Sequence, residues 1–198
     1  VISIPTGILA AVKENKWQDY LIRMLTFMGM SVPSFWLGLV FLSIFGVQLG
    51  LVSVSGGNAD FGSMILPALT IAIAMSAKYI RQIRHIFLEE LGKSYVTGAR
   101  MRGIKERDIL WKHVLPNAML PIITLLGLSL GSLLGGTAVV EIVYNWPGMG
   151  RMAVKAISAQ DYPLIQSYVL IIAFLYLIVN IAVDISYKYL DARVEEVI

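Results

Sequence analysis

Long hydrophobic runs alternate with short polar segments along the chain. A helix needs about 20 apolar residues to cross the hydrocarbon core of a bilayer, because it rises about 1.5 Å per residue. Four runs meet this length, at residues 20–49, 62–83, 117–140 and 164–187, and the apolar run 1–12 has the character of the last part of an earlier span. The pattern predicts an all-α polytopic membrane protein. Because the chain starts without Met inside that first run, we expect an N-terminal part of the full protein to precede it.

The polar segments between these runs differ in charge. If the helices alternate in direction, segments 13–19 and 84–116 and the C-terminal tail lie on one side of the membrane, and segments 51–61 and 144–163 lie on the other. Of the 16 Lys and Arg residues, only two fall on the second side. Since positively charged loops tend to stay in the cytoplasm, the basic loops are predicted to be cytoplasmic.

Composition agrees with lipid as the solvent of most of the chain. With 57% hydrophobic and 15% charged residues and a mean hydropathy of +0.73, the chain is too apolar to bury its nonpolar surface in one soluble core. It has no Cys, which excludes disulfides, thiolate metal sites and Cys nucleophiles. The net charge of +3 comes from residues at helix ends, so no nucleic-acid partner is expected.

Small and helix-breaking residues within the runs predict helices that pack on one another. Gly127, Gly131 and Gly135 recur every four residues, which lets two helix backbones approach closely. Pro33 and Pro121 lie inside runs, where each can kink a helix whose freed carbonyl groups are satisfied by neighbours.

The basic segment 84–116 is long for a connection between spans, and it reads as two short amphipathic helices broken at Gly103. Apolar residues recur at helical spacing on both sides of the break, at Tyr95, Ala99 and Met101 and then at Ile104, Ile109, Leu110 and Val114. Gly103 permits a sharp turn, and Pro116 is expected to end the second helix before the next span. Such a hairpin either docks in a cleft of a cytosolic partner or lies on anionic lipid head groups, and the pattern alone leaves both open.

Several positions in this segment resemble the cytoplasmic EAA loop of binding-protein-dependent ABC transporter permeases. The matching residues are Ala99, Gly103, Leu115 and Pro116, whereas Thr97 and Gly98 replace the Glu and first Ala of that motif and His113 replaces its Ile. These departures resemble one branch of the family, the dipeptide, oligopeptide and nickel permeases, whose version of the loop runs Tyr-Val-x-x-Ala-Arg-x-x-Gly, as in Tyr95 to Gly103 here.

Further motifs of the same branch follow towards the C terminus. They are Asn117-Ala118-Met119-Leu120-Pro121, Glu141 followed by Trp146-Pro147-Gly148-Met149-Gly150, Asp161-Tyr162-Pro163, and Asp191, which Ala192 follows where family members usually have Pro. Since the resemblance extends over nearly the whole chain, residues 1–198 are interpreted as one transmembrane permease domain with a cytoplasmic coupling loop at about 89–116.

The resemblance implies a division of labour among several proteins. Two permease subunits would form the path through the lipid bilayer, two cytoplasmic ATPase subunits would bind and hydrolyse ATP with Mg, and an extracytoplasmic substrate-binding protein would deliver the cargo. This chain would then be no enzyme, would hold no cofactor or metal of its own, and would lie in the plasma (inner) membrane of a bacterium or archaeon.

The resemblance also implies roles for named residues. Those expected to couple the chain to the ATPase are Tyr95, Ala99, Arg100, Gly103, Leu115 and Pro116. Those expected in an outer loop or gate are Trp146, Pro147, Gly148 and Gly150.

Polar residues inside the spans are rare and therefore functional candidates. Asp184, Asn180 and Gln166 are predicted to be such residues. In the basic segment, Gly92-Lys93-Ser94 imitates the end of a phosphate-binding loop, but Phe87 stands where that motif requires Gly. ATP binding by this chain is therefore not expected.

The resulting hypothesis is a permease subunit of an ATP-driven ABC importer that forms the path for a small solute. Di- or oligopeptides are the preferred cargo, and nickel is the alternative within the same family. A secondary transporter is the alternative from another class, which would need a coupling-ion site and would work without an ATPase. A membrane-embedded hydrolase is disfavoured because His residues and intramembrane carboxylates are scarce.

Overall fold

The structure, a computed structural model, describes residues 2–51 and 61–190. Within these ranges the chain forms α-helices, two π-helical segments and turns, without a strand, which confirms the all-α prediction. The helices are α1 (Ser3–Val12), α2 (Trp17–Ser31), α3 (Ser34–Phe41), α4 (Phe61–Leu91), α5 (Ser94–Met101), α6 (Glu106–Asp108), α7 (Leu115–Gly136), α8 (Ala138–Val143), α9 (Met149–Ala159) and α10 (Tyr162–Leu190). The π-helical segments are Leu42–Gln48, which continues α3, and Ile109–Val114, which joins α6 to α7.

Three continuous helical stretches are long and apolar enough to cross a membrane. They are Phe61–Leu91, Glu106–Gly131 and Tyr162–Ser186. A fourth candidate is the pair Trp17–Ser31 and Ser34–Gln48, whose two halves are bent by 93°. Of the four predicted spans, three are therefore straight candidates and the first, at residues 20–49, is broken.

The break in the first predicted span lies at Pro33. Pro33 has extended backbone angles (φ −61°, ψ 139°) and stands directly before α3. Its ring disfavours a helical conformation at Val32, and it has no N–H to donate to an earlier carbonyl. The kink predicted at Pro33 is therefore confirmed, and the first predicted span is a sharply bent helix pair.

By its internal contacts the chain divides into two compact units. The first consists of Val1–Phe27, Ser76–Ser129 and Val179–Ile198, and the second of Met28–Met75 and Leu130–Ile178. Helices α4, α7 and α10 each contribute residues to both units, so the units are not successive segments of the chain. The interpretation of residues 1–198 as one permease domain stays a prediction.

The first unit has a core built around α4, α5 and the start of α7. Its buried residues are Ala11, Ile83, Phe87, Val96, Ala99, Ile109, Val114, Ala118 and Ile122. Gly7 of α1 lies so close to Ile83 that a Cβ at this glycine would be 2.8 Å from the Ile83 Cγ2 atom. Because Val96 and Ala99 of the short helix α5 are among the buried residues, α5 is part of this core and not a detached loop.

The second unit has a smaller core at the turn after α8. Leu66, Val140 and Tyr144 are buried there. The Tyr144 hydroxyl lies 2.8 Å from Thr70 Oγ1 and 3.0 Å from the Gly38 carbonyl oxygen, so one phenol links α8 to both α3 and α4. Buried polar groups normally have such partners, because an unsatisfied one costs free energy.

The last helix is almost entirely uncovered by the rest of the described chain. No residue in the most apolar stretch of Tyr162–Ser186 is buried. Its contacts with α7 use glycines: a Cβ on Gly127 would overlap Val183, and one on Gly131 would overlap the Tyr176 ring. This geometry agrees with the predicted small-residue stripe, whose third member, Gly135, lies outside the residues whose surroundings are described. An apolar helix face of this extent suits lipid or a neighbouring subunit.

Candidate functional site

Helix α5 ends in a glycine turn. It belongs to the segment that is predicted to couple the chain to an ATPase. Gly103 has φ +75°, and its N–H donates to the Arg100 carbonyl at 2.9 Å. The Ile104 N–H donates to the Ala99 carbonyl at 3.2 Å. This pair of bonds is the Schellman arrangement, in which a residue with positive φ ends a helix. The prediction that Gly103 makes the turn is confirmed.

The inner side of α5 packs against the spans that flank it. Val96 and Ala99 are 0% and 2% exposed, and both belong to the core that contains Phe87 of α4 and Ile109. Ala99, which the sequence proposed for coupling, thus faces inward. A small residue at this position lets α5 lie close to its neighbours.

The outer side of α5 carries the groups that a partner can reach. Met101 is 84% exposed. Arg100 is exposed as well, and its Nε donates to Glu106 Oε1 at 2.7 Å. This ion pair spans the turn at Gly103, but both side chains remain in contact with solvent, where such pairs contribute little to stability. Of the predicted coupling residues, Tyr95, Arg100, Gly103 and Pro116 are exposed. Met101, which was not among them, is the most exposed apolar side chain of α5.

A buried carboxylate fastens α5 to the end of α4. Glu90 is 5% exposed. Its Oε1 accepts a hydrogen bond from the Tyr95 hydroxyl at 2.7 Å, and its Oε2 accepts one from Lys93 Nζ at 2.6 Å. A negative charge in the last turn of a helix is opposed by the helix dipole, so these two donors offset an otherwise unfavourable position.

The same contact changes the acid–base behaviour of Tyr95. Burial, together with the hydrogen bond to the Glu90 carboxylate, raises the pKa of the Tyr95 phenol from 10.0 to about 12. The phenol is therefore a donor throughout the physiological range. Tyr95, proposed from the sequence as a coupling residue, acts in the structure as an internal brace of α5.

Leu115 and Pro116 lie at the start of α7, and here the sequence prediction is wrong. Pro116 was expected to end a helix, whereas the helical path Glu106–Gly131 runs through it without interruption. The preceding turn, Ile109–Val114, is π-helical. A proline removes one N–H and presses on the carbonyl four residues earlier, and the wider π-turn relieves that conflict. Leu115 packs against the core of the first unit.

The segment 144–163, predicted as an outer loop, contains helix α9. The Glu141 carboxylate receives the Thr137 hydroxyl at 2.8 Å and the backbone N–H of Arg151 at 2.7 Å. Since the first N–H groups of a helix lack partners within it, Glu141 caps α9 from the neighbouring helix α8. The Arg151 side chain donates to the Asn145 carbonyl at 2.7 Å and closes the turn between them.

The glycines of the predicted outer motif make room for this arrangement. A Cβ on Gly148 would overlap the Glu141 carboxylate. A Cβ on Gly150 would lie 2.8 Å from the Ala138 Cα atom, closer than van der Waals contact allows. Trp146 and Pro147 form the tight turn before them, in which the Gly148 N–H donates to the Trp146 carbonyl at 2.9 Å.

The three polar candidates of the last predicted span all lie on α10. Gln166 and Asp184 are exposed and Asn180 is half-buried. Asn180 and Asp184 are four residues apart and so share one face of the helix. The structure brings none of the three into a cluster with His or acidic residues: no group of three or more metal-binding side chains occurs among residues 2–51 and 61–190.

An ion pair that the sequence did not predict joins α2 to α4. Arg84 donates to both carboxylate oxygens of Asp19, at 2.6 and 2.7 Å, and Asp19 is fully buried. Asp19 also accepts the N–H of Asn15, a residue with φ +58° in the turn between α1 and α2. A carboxylate at the edge of an apolar run indicates that a cationic partner lies nearby in the fold. The sequence does not identify that partner, because Asp19 and Arg84 are 65 residues apart in the chain.

Comparisons with known proteins place these features in a family context. The family model described as "Binding-protein-dependent transport system inner membrane component" matches residues 3–196. The glutathione transport system permease protein GsiC of Escherichia coli (strain K12) is 37% identical over 194 residues, which make up 98% of this chain and 63% of that protein.

Two further relatives match to the same extent. The GsiC proteins of Shigella dysenteriae serotype 1 (strain Sd197) and Shigella flexneri serotype 5b (strain 8401) are each 37% identical over 194 residues. In both, the chain again spans 63% of the length of the curated relative that it matches.

Proposed function

Because the chain belongs to the family of binding-protein-dependent transport system inner membrane components, we propose that it is the permease subunit of an ATP-driven ABC importer. The family description names its members as inner membrane components of transport systems, which agrees with the three long apolar helices found in the described residues.

The observation that carries this proposal is the placement of α5. It directly follows the candidate span Phe61–Leu91 and precedes the candidate span Glu106–Gly131, and its inner residues belong to their common core. A rigid-body displacement of α5 is therefore passed to both spans through packed side chains. Among its exposed residues, Arg100 and Met101 offer a charged and an apolar contact to the ATPase.

We propose that the α8–α9 hairpin lies on the outer side of the membrane, where it contacts the substrate-binding protein or forms an outer gate. Trp146 and Pro147 lie at its tip, and the glycines beside them let α8 and α9 pack without intervening side chains. A tightly packed hairpin of this kind can move as one body when a partner binds or leaves.

For the cargo we propose di- or oligopeptides, with nickel as the alternative. The relatives are named as glutathione transport permeases, and glutathione is a small peptide. Asp184, Asn180 and Gln166 remain the candidates for polar groups along the path, because polar side chains on an otherwise apolar helix need a hydrated or polar neighbour.

The partners follow from the same proposal. A second permease subunit completes the path, two cytoplasmic ATPase subunits bind ATP and Mg, and a substrate-binding protein delivers the cargo outside. The orientation is tested with Lys105→Cys, which introduces one thiol into a chain without Cys. A membrane-impermeant thiol reagent should fail to label this residue in intact cells and label it after lysis; labelling from outside would invert the orientation.

The coupling role is tested at Gly103. The full-length protein is reconstituted in vesicles with the second permease, the ATPase subunits and the binding protein, and peptide uptake is measured per ATP hydrolysed. Gly103→Val forces a β-branched residue to φ +75°. Left-handed strain of about 1–2 kcal/mol disfavours the turn, so uptake per ATP should fall about tenfold. Gly103→Asn, which tolerates this conformation better, should lose less.

The matched control is Gly50→Val. Gly50 has φ +60° and no atom near its missing Cβ, so the substitution imposes similar backbone strain outside α5. Uptake per ATP should stay normal in this variant. Equal losses in both variants would show that strain alone, and not coupling through α5, is responsible. Uptake without any ATPase would instead support a secondary transporter.

A further inference from the structure

A cavity of about 740 Å³ opens in the first unit between α2, α4 and α7. Basic side chains form one wall, from Arg23, Arg81, Arg84 and His85. Ile86, Pro121, Leu125 and Leu128 form an apolar floor, and none of the residues that line the cavity is acidic. The cavity therefore joins a cationic wall to a nonpolar surface.

The charges of this wall are only partly compensated. Asp19 takes up the charge of Arg84 through two hydrogen bonds of 2.6 and 2.7 Å. Arg23 lies 5.8 Å from the centre of the Tyr20 ring, a cation–π distance, and belongs to no salt bridge among the described residues. Arg81 is exposed and likewise has no carboxylate partner in the described part of the chain. Arg81 thus faces the cavity without an acidic partner, and Arg23 interacts with Asp19 only through space, without a salt bridge in the described part of the chain.

A further polar group on this wall lacks a partner. The Oε1 atom of Gln82 is buried and has no hydrogen-bond partner within the described ranges. Buried side-chain oxygen atoms are usually satisfied, and Gln82 also lines the cavity. The wall therefore offers one hydrogen-bond acceptor that the fold itself does not use, which suits an N–H or O–H of a bound molecule and not its oxyanion.

We propose that this cavity binds the oxyanion of an amphiphilic molecule, with Arg81 and Arg23 as its ligands. Guanidinium groups bind carboxylate and phosphate through paired N–H donors, and the apolar floor accommodates the attached nonpolar part. The oxyanion is either the carboxylate of a peptide cargo or the phosphate of a lipid head group. The cargo assignment rests on the proposed function, whereas binding of an oxyanion does not. The Asp19–Arg84 pair positions this wall, since it fixes α2 against α4.

The test measures binding to the purified full-length protein in lipid nanodiscs. One probe is trialanine, compared with trialanine amide, which lacks the carboxylate. The other is phosphatidylglycerol, scored as lipid retained per protein against a phosphatidylcholine background. Arg81→Gln and Arg23→Gln are compared with Lys16→Gln, which removes an exposed cation outside the cavity.

If the oxyanion belongs to cargo, Arg81→Gln should weaken trialanine binding about tenfold, the usual cost of losing a charge-assisted hydrogen bond. Trialanine amide should bind weakly to every variant, and Arg81→Lys should retain part of the affinity. If the oxyanion belongs to lipid, the Arg variants should lose phosphatidylglycerol while trialanine binding stays unchanged. Both results support the cavity.

The proposal is overturned if the Arg81 and Arg23 variants match Lys16→Gln for both probes. Failure of the proposed function would look different. The unmodified full-length assembly would then show no ATP-driven peptide uptake, while the nanodisc measurement would still report whether the cavity takes an oxyanion.

Discussion

In the described part of the chain, the α4–α5 turn and the α8–α9 turn, here called the first and second hairpins, are each fastened by one carboxylate, but in different ways. At the α4–α5 turn, Glu90 receives two side-chain donors, Tyr95 and Lys93. At the α8–α9 turn, Glu141 receives a hydroxyl and a backbone N–H, and glycines hold the helices close to it. The first hairpin therefore depends on charge and the second on space. A hairpin held by side-chain bonds tolerates small displacements that a hairpin packed backbone to backbone does not.

Substitutions at Gly150 and Gly148 distinguish the effect of steric room at the α8–α9 turn from the effect of the Glu141 carboxylate. Gly150→Ala places a Cβ 2.8 Å from the Ala138 Cα atom, and a backbone atom cannot move aside alone. We expect a loss of about 3 kcal/mol in stability, at the upper end for overpacking. The three atoms nearest to a Cβ on Gly148 all belong to the Glu141 carboxylate, so Gly148→Ala should cost about 2 kcal/mol by breaking the cap of α9. Thermal unfolding of the full-length protein in detergent measures both.

A double substitution distinguishes the two causes. In a Glu141→Ala background, Gly148→Ala should lose most of its additional cost, whereas Gly150→Ala should keep it. Gly62→Ala serves as the control in the same unit, because no atom lies within 4 Å of its missing Cβ. Equal rescue of both glycine variants would mean that space around Gly150 does not decide the packing of this hairpin.

A smaller effect is expected at the charge-dependent hairpin. Glu90→Gln keeps the shape of the side chain but turns an amide N–H towards a donor, so one hydrogen bond to Lys93 or Tyr95 is lost. We expect the stability to fall by about 1 kcal/mol. Uptake per ATP should fall as well if α5 is a coupling helix. Glu89→Gln is the matched control, since Glu89 is exposed and neighbours Glu90 in the chain. An equal response of both variants would contradict the bracing role.

The smallest effect is a shift in titration. The pKa of Tyr95 is raised to about 12, so the folded state favours the neutral phenol. This contribution to stability is complete below about pH 10, the usual value for Tyr, and is lost as the pH rises through 12. Near-ultraviolet absorbance of the full-length protein and of its Tyr95→Phe variant gives the titration of this one residue. A midpoint close to 10 would show that the contact with Glu90 is absent.

Much of the architecture could be predicted from the chain alone. Three of the four hydrophobic runs are single candidate spans, and the family suggested by the motifs around Tyr95 and Gly103 is confirmed. The two prolines differ in outcome. Pro33 bends the first run, as its position inside that run predicts, whereas Pro116 does not end a helix as expected, because its effect depends on whether the preceding turn can widen. Predictions for the loop at 52–60 and for Asp191 and Ala192 fall outside the described residues.

The site residues show the same limit. Gly103 was predicted for its turn and has the required positive φ. Ala99 and Tyr95 were predicted to couple the chain to the ATPase. Ala99 is buried in the core, whereas Tyr95 bonds Glu90 and is still 36% exposed, so its coupling role stays a prediction. A helical repeat tells which residues share a face, but it does not tell whether that face meets a partner or the protein's own core.

By itself, the order of amino acids determined that lipid surrounds most of the chain, that the chain is helical, and to which family it belongs. Each of these depends on local composition and spacing. Only the tertiary structure decided which charges are paired. Asp19 meets Arg84, and Arg81 is left beside a cavity, although both arginines stand three residues apart on α4. The physical reason is that hydrophobic transfer acts on every apolar residue alike, whereas a hydrogen bond needs two atoms within about 3 Å, a distance that folding alone sets.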